Sequence, residues 1–328
     1  MMGYLLEVQD LSVSFTTRTG TILANDRVSL NLNPGESLGI VGESGSGKSV
    51  LCRAILGLAK GKVSARSLAF DGRQMDDMSP EERRRMRGAG IGMIFQSPMS
   101  SIDPVWTIGD QLVETVRLHK QISRSAARVE AVELLDRVGI ASPVQRLNDY
   151  PHQWSGGMLQ RAVIALALAG NPRLILADEP TTSLDVTIQD QILALLMSLQ
   201  RERGMAMIIV SHDLGVIAET VDRVAVMYAG RIVETAQVRD LFEAPRHPYT
   251  AGLFGSMVAG ARQDQVLTPI TGQPPDLHAL PPGCAFAPRC PRVGEACLLT
   301  VPRIDVSAGH SAACNYPLNE LVTARNRP

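Results

Sequence analysis

The feature that most constrains this 328-residue chain is a glycine-rich run at residues 42–49, GESGSGKS. It fits the pattern GxxxxGK[ST], in which glycines let backbone N–H groups wrap around phosphate oxygens. The apolar run SLGIV comes just before it, and the helical pattern KSVLCRAILGL begins at its lysine. A strand, a glycine loop and a helix in this order are the setting that a phosphate-binding loop needs. An ordinary glycine turn is the alternative, and both flanks disfavour it.

In such a loop the lysine meets the β- and γ-phosphate oxygens, and the serine hydroxyl ligates magnesium. The sequence therefore predicts a site for ATP and Mg²⁺. The predicted loop residues are Gly42, Ser44, Gly45, Ser46, Gly47, Lys48 and Ser49.

Charge and hydropathy limit the partners of the chain. The net charge of −1 provides no overall positive field for nucleic acid, although a local basic stripe runs over residues 83–87. We therefore predict no nucleic-acid partner. The longest apolar stretch, AVIALALA at 162–169, falls far below the roughly 18 residues of a membrane span. Any role at a membrane is predicted to be peripheral.

The order of patterns along the chain predicts an α/β fold. Residues 5–33 alternate apolar and polar side chains, as strands with one buried face do, and residues 97–157 are mainly helical in pattern. Further apolar strands alternate with helices as far as residue 242. We predict a P-loop NTPase core over residues 1–245, with a β-rich N-terminal subdomain and a helical insert. Residues 246–328, rich in proline and glycine, are predicted to form a small loop-rich extension.

A second chemical motif is the strand LILADE, which ends in two carboxylates, Asp178 and Glu179. At the end of a strand, the first acid can lie near magnesium and the second can orient water. An acid that merely caps the next helix is the alternative for such a strand end.

The run WSGGMLQ at 154–160 opens a helix shortly before this acid pair, and here the sequence resembles the ABC ATPase family over residues 4 to about 243. The resemblance implies that Ser155, Gly156 and Gly157 point backbone N–H groups at the γ-phosphate held by a partner subunit. Dimerisation is then part of the mechanism. The chain departs from the family's usual Leu-Ser-Gly-Gly-Gln at Trp154 and Met158.

The resemblance implies roles for four further positions, each with a structural alternative. Gln96 would touch magnesium and report the nucleotide to a membrane subunit, or would be a polar loop residue. Asp185, in the run Ser183-Leu184-Asp185, would cross the dimer interface, or would cap a helix. His212 would contact the γ-phosphate and fix Glu179 and water, or would be structural. Phe15 would stack on adenine, or would be a core residue.

Four of the five cysteines lie close together, at Cys284, Cys290, Cys297 and Cys314. The paired spacing typical of structural zinc is absent. The runs PRHPYT and GCAFAPRCPRVGEAC resemble the tail of dipeptide and oligopeptide importer ATPases. In that subfamily the four thiolates imply a [4Fe–4S] cluster. Zinc and free thiols are the alternatives, and Cys52 is predicted to be ordinary packing.

The sequence thus predicts the ATP-hydrolysing subunit of an ABC importer for dipeptides or oligopeptides, at the cytoplasmic face of the inner membrane. Its expected partners are a second ATPase subunit, identical or a paralogue, two transmembrane permeases and, indirectly, an external binding protein. Glu179, His212 and Lys48 are the predicted catalytic residues, and Ser49, Gln96 and Asp178 the predicted magnesium ligands. The alternatives are a nickel or glutathione importer, a soluble ABC ATPase acting on nucleic acid or the ribosome, and a regulatory protein that binds ATP without hydrolysing it.

Overall fold

The computed structural model describes residues 3–182, 184–256, 270–300, 302–305 and 309–318. Strands and helices alternate along these ranges, as predicted. The strands are β1 (Leu6–Thr17), β2 (Gly20–Leu32), β3 (Ser37–Val41), β4 (Lys62–Ser64), β5 (Ser67–Phe70), β6 (Arg73–Gln74), β7 (Ile91–Ile94), β8 (Leu174–Asp178), β9 (Ala206–Val210), β10 (Arg223–Tyr228), β11 (Arg231–Gln237) and β12 (His310–Ala312). The α-helices are α1 (Lys48–Ile55), α2 (Pro80–Ala89), α3 (Ile108–Lys120), α4 (Arg124–Arg137), α5 (Pro143–Arg146), α6 (Gly156–Leu168), α7 (Val186–Arg203), α8 (Leu214–Thr220), α9 (Val238–Glu243), α10 (Pro248–Gly255) and α11 (Glu295–Leu299).

The chain divides into two compact units. The first is drawn from the described residues within 1–6, 32–37 and 68–211, and the second from those within 7–31, 38–67 and 212–328. The predicted division at residues 245 and 246 stays a prediction.

The first unit is built on three parallel strands. β7 pairs with β8, and β8 pairs with β9 in a register that places Asp178 opposite Val210. Every residue of β8 and β9 is buried, as expected for parallel strands covered on both faces. Helices α3 and α4 pack against each other and against α6, and α6 packs against β7. Helices α3, α4 and α5 constitute the predicted helical insert.

The second unit contains the N-terminal strands and the C-terminal residues. β3 is fully buried and runs parallel to β10, while β10 and β11 form an antiparallel hairpin. Strand β12 then adds to β11 in antiparallel fashion. The sequence pattern did not predict β12, because a strand of three residues has too few positions to show an alternation. Part of the loop-rich extension therefore continues a sheet of this unit.

Side chains cap the starts of several helices. At α2, the Ser79 hydroxyl accepts from the Glu82 N–H at 3.2 Å, and the Glu82 carboxylate accepts from the Ser79 N–H at 2.9 Å. Together these two bonds form a reciprocal capping box within a Ser-Pro-Glu-Glu run. None of the helices in the described ranges combines the length and apolar character that a membrane crossing requires.

A buried carboxylate joins the C-terminal residues to β11. Glu234 has no exposed surface, and its oxygens accept from the backbone N–H groups of Arg246 at 2.6 Å and His247 at 2.8 Å. The His310 ring nitrogen Nε2 lies 2.7 Å from the same carboxylate. Because a buried carboxylate is costly without partners, these three contacts are coupled to the folding of the segment around Glu234.

We predict that Glu234→Gln destabilises the protein by about 2 kcal/mol, because the amide replaces one accepting oxygen with a donor that faces other donors. Urea denaturation followed by circular dichroism measures the free energy of unfolding. Glu243→Gln is the matched control, since Glu243 is exposed and pairs with Arg239 on the same helix. Equal effects of the two substitutions would contradict the anchoring role of Glu234.

Candidate functional site

The glycine loop lies where the sequence predicted it, between buried β3 and helix α1. Gly42 has φ 150°, and a Cβ there would lie 2.2 Å from the Met227 carbonyl oxygen. Gly47 has φ 101°, and a Cβ there would lie 2.4 Å from the Ala24 carbonyl oxygen. Backbone atoms occupy the space of any larger side chain at both positions. The loop therefore needs glycine for its conformation and for its close packing.

Lys48 is drawn into this loop. Lys48 is 5% exposed. Its Nζ donates to the carbonyl oxygens of Gly42 at 2.8 Å and Glu43 at 2.9 Å. The Ser46 hydroxyl lies 3.4 Å from the same nitrogen. The ammonium is thus fixed at the first turn of α1, where the N–H groups of a helix start also favour an anion. The glycine loop with its buried lysine is the site of a P-loop nucleotide-binding protein.

The other predicted residues of the second unit are Ser49, Phe15 and His212. Ser49 lies in the first turn of α1 beside Lys48. Phe15 is half-buried on β1, with its ring edge next to Gly61. His212 is exposed and precedes Asp213, the residue that caps α8. Phe15 is only half-buried, so its burial does not decide between a core role and a stacking role. Stacking of Phe15 on adenine stays a prediction.

In the first unit, the strand ends bring Gln96, Asp178 and Glu179 together. Asp178 closes β8 and is fully buried, and Glu179 follows it with φ 49°. A positive φ is unfavourable for glutamate and is held here by the bond from the Glu179 N–H to the Val210 oxygen at 3.0 Å. Strained backbone of this kind concentrates at functional sites.

One oxygen of Glu179 accepts two side-chain hydrogen bonds. Gln96 Nε2 donates to Oε2 at 2.8 Å, and the Thr182 hydroxyl donates to the same oxygen at 2.9 Å. Sequence reasoning missed Thr182, although its position three residues after Glu179 was a usable signal. It also missed the bond from Gln96 to Glu179, which depends on the pairing of β7 with β8.

The helix that begins after Ser155 has an open N-terminus. The Ser155 hydroxyl accepts from the Met158 N–H at 3.4 Å, and both Ser155 and Gly156 are exposed. Gly157 faces Ile188, where a Cβ would come within 2.9 Å of its side chain. Trp154 is 6% exposed, with its indole N–H bonded to Asp149 at 3.1 Å. The tryptophan that departs from the family pattern is therefore a packed residue beneath the helix start.

Asp185 is exposed and caps α7, accepting from the Ile188 N–H at 3.0 Å. The structural alternative for Asp185 is thus confirmed, and it leaves the residue exposed for a second role. Ser183, in the same predicted motif, lies outside the described residues.

The four C-terminal cysteines line one cavity and form no disulfide. Burial raises the pKa values of Cys284, Cys290 and Cys314, the last to about 11, and neighbouring cysteines raise all three further. Among the residues that the structure describes, no three His, Cys, Asp or Glu side chains converge closely enough to hold a metal ion. The thiols are therefore neighbours, but the predicted iron–sulfur site is not shown. Cys52 is fully buried, as predicted for a packing residue.

Comparison with known proteins agrees with this geometry. One family model, described as "ABC transporter", matches residues 25–182, and another, "Oligopeptide/dipeptide transporter, C-terminal region", matches residues 233–297. The dipeptide transport ATP-binding protein DppD of Bacillus subtilis is 48% identical over 95% of this chain and 95% of its own length. DppD of Escherichia coli is 44% identical over 96% of this chain and 98% of its own length.

Solved structures show the same fold. A dimeric post-hydrolysis structure of the ATP-binding cassette MJ0796 with ADP and phosphate has a TM-score of 0.65 and 29% identity, covering 71% of this chain and 99% of that one. CbiO1 of Clostridium perfringens, part of an ABC transporter complex, has a TM-score of 0.63 and 27% identity, covering 74% of this chain and 91% of that one. The chain belongs to the family of ATP-binding proteins of ABC transporters. The predicted family, the P-loop NTPase fold and ATP hydrolysis by a transporter subunit are confirmed.

We predict that Gly42→Ala costs more stability than Gly45→Ala. Both glycines have positive φ. A Cβ at position 42 would lie 2.2 Å from the Met227 carbonyl oxygen, whereas a Cβ at position 45 would have nothing within 4 Å. We expect Gly42→Ala to lower the free energy of unfolding by about 1–3 kcal/mol beyond the loss for Gly45→Ala. Urea denaturation without nucleotide measures both, and equal losses would contradict the close approach at Gly42.

Proposed function

We propose that this chain is the ATP-hydrolysing subunit of an importer for dipeptides or oligopeptides. Two relatives that align over nearly their whole length are named as dipeptide transport proteins. The match to the oligopeptide and dipeptide transporter C-terminal model includes three of the four clustered cysteines. These likenesses favour peptides over nickel or glutathione. An ABC ATPase that acts on nucleic acid or the ribosome is the remaining alternative.

The nucleotide is held by the glycine loop in this proposal. Lys48 and the N–H groups of residues 42–47 bind the phosphates, and Phe15 stacks on the adenine. Ser49, Asp178 and Gln96 supply oxygen ligands for Mg²⁺, which prefers such ligands and neutralises phosphate charge when bound. His212 contacts the γ-phosphate.

Glu179 orients the attacking water. Its Oε2 is fixed by Gln96 and Thr182, and two donors on one oxygen hold the carboxylate in a single orientation. The hydrogen bond between Gln96 and Glu179 connects the proposed magnesium ligand to the residue that orients water. Loss of that bond leaves an Oε2 lone pair free to accept from water.

A second ATPase subunit, identical or a paralogue, completes the site. Ser155, Gly156 and Gly157 lie at the N-terminus of α6, a 13-residue helix whose first N–H groups can bind an anion. Ser155 and Gly156 are exposed, which supports the proposal that they bind the nucleotide of a partner subunit. Asp185 lies at the same interface in this proposal. The likeness to the dimeric MJ0796 cassette supports this arrangement.

Two transmembrane permeases bind the helical insert, and an external binding protein delivers the substrate to them. Shortly after Gln96, the side chains of Met99, Val105 and Trp106 are each more than half exposed. Large apolar side chains grouped at a surface favour a protein interface. Their position supports a link from Gln96 to a permease at the cytoplasmic face of the inner membrane.

We propose that Cys284, Cys290, Cys297 and Cys314 ligate a [4Fe–4S] cluster. The four cysteines fit such a cluster in number and in chemistry, since four thiolates are its usual ligand set. Burial, and to a smaller extent the neighbouring cysteines, raises the pKa values of Cys284, Cys290 and Cys314, so thiolates at these positions need a compensating positive charge. A bound cluster would supply that charge and one-electron redox chemistry. The sulfurs must draw closer to bind it, because they do not converge as ligands in the described residues.

Glu179→Gln is predicted to lower the ATP hydrolysis rate about 100-fold or more, because an amide cannot accept a proton from water. ATP binding should persist, since the phosphate contacts lie elsewhere. Phosphate release and nucleotide retention measure the two properties. Glu219→Gln, an exposed acid on α8, is the control. An unchanged rate in Glu179→Gln would refute the role of Glu179.

Anaerobic purification tests the cluster. We expect about four iron and four sulfide per chain, lost in Cys290→Ser and kept in Cys52→Ser. Zinc in place of iron, or metal-free thiols under these conditions, would overturn the iron–sulfur assignment.

The transport function is tested by co-purification of the intact membrane complex, followed by identification of its binding protein and bound ligand. Peptide ligands with two permeases support the proposal. A nickel or glutathione ligand, or association with ribosomes or nucleic acid without permeases, would contradict it.

A further inference from the structure

The glycine loop has a contact that the proposed function does not use. Its second residue, Glu43, is held on both its backbone and its side chain by C-terminal residues. The Glu43 N–H donates to the Tyr249 hydroxyl at 2.9 Å. The Glu43 carboxylate accepts from Arg289 in bidentate fashion, with Nη1 to Oε2 at 2.7 Å and Nη2 to Oε1 at 3.0 Å.

The Arg289 side chain is held in place by several contacts besides its pair with Glu43. Its side chain is 6% exposed, its Nε donates to the Thr271 carbonyl oxygen at 3.0 Å, and its Nη1 lies 3.3 Å from the Tyr228 hydroxyl. The guanidinium carbon also lies 5.9 Å from the Tyr228 ring centre and 6.0 Å from that of Phe286. Two carboxylate bonds and two aromatic faces fix a planar guanidinium in a way that a lysine ammonium cannot reproduce.

An aromatic cluster supports the same contact. The Tyr228 and Tyr249 ring centres are 4.5 Å apart, and Phe286 packs edge-on against both, at 5.3 Å and 5.4 Å. All three side chains are buried. The cluster connects the end of β10 to the short 3₁₀ turn at residues 287–289, which leads directly into Cys290. The conformation of this turn is therefore coupled to the position of Glu43.

A second part of the extension faces the loop across a cavity. Residues 43–46 and residues 274–278 line one cavity. The C-terminal extension thus bonds the glycine loop through Tyr249 and Arg289, and its proline-containing segment at 274–278 shares a cavity with the loop.

We propose that Arg289 is a positioning residue for ATP binding, which holds Glu43 in place and neutralises its carboxylate beside the triphosphate. This rests on the proposed nucleotide site. Without Arg289, a partly buried negative charge next to the loop would repel the phosphates, and the N–H groups that follow Glu43 would lose their fixed orientation. Arg289 directly precedes Cys290, so the same residue also connects the glycine loop to the cysteine segment.

The test is the Kd for a fluorescent ATP analogue with Mg²⁺, measured on the purified full chain. We expect Arg289→Gln to weaken binding roughly tenfold or more, raising KM with little change in kcat, and Arg289→Lys to recover part of the loss. The double variant Glu43→Gln/Arg289→Gln should bind more tightly than Arg289→Gln alone, because it leaves no unpaired charge. Arg292→Gln, an exposed arginine just beyond Cys290, is the matched control and should bind as wild type.

Lys48→Ala separates this proposal from the proposed function. If Lys48→Ala abolishes binding while Arg289→Gln binds as wild type, or if Arg292→Gln weakens binding equally, the role of Arg289 is refuted and the ATP site stands. If Lys48→Ala binds as wild type, the proposed function itself fails. If Arg289→Gln does not fold, the Kd of Arg289→Lys is measured instead, with Arg292→Lys as its control. Weaker binding by Arg289→Lys but not by Arg292→Lys supports the proposal. Wild-type affinity of Arg289→Lys overturns it.

Discussion

Buried parallel strands determine where the chemical groups of this protein lie. A strand covered on both faces has no room for polar side chains along its length, so they collect at its ends. In the first unit, β7 leads to Gln96, and β8 ends in Asp178 and leads to Glu179. In the second unit, β3 leads into the glycine loop. Within each unit, the polar groups are thus held at the ends of rigid strands, which fixes their positions.

Local chemistry was predictable from the sequence, and long-range contacts were not. The strand before the glycine loop, the capping box at Ser79 and the helix start at Ser155 follow from residues within a few positions of one another. The bond between Gln96 and Glu179 joins residues 83 positions apart, and that between Glu43 and Arg289 spans 246 positions. Such pairs depend on strand order and on packing between distant segments, which periodicity does not report. The strained backbone at Glu179 is likewise imposed by tertiary contacts.

The C-terminal residues are more closely tied to the second unit than their composition suggested. Proline and glycine predicted loops, and loops predominate, but β12 extends β11, Glu234 anchors three C-terminal groups and Arg289 reaches the glycine loop. A segment of low regular structure can be well fixed when buried charges and aromatic rings replace ladder hydrogen bonds. Arg289, which directly precedes Cys290, thereby connects the cysteine segment to the glycine loop.

In the proposed dimer, one triphosphate is shared by the glycine loop of one subunit and the α6 N-terminus of another. Light scattering of the Glu179→Gln protein, with the ATPase subunit that co-purifies with it, measures this directly. ATP should raise the mass from one subunit to two, and Gly156→Glu, which puts a negative charge at the helix start, should abolish the pair while leaving ATP bound. A single subunit saturated with ATP, or a pair indifferent to Gly156→Glu, would contradict the account.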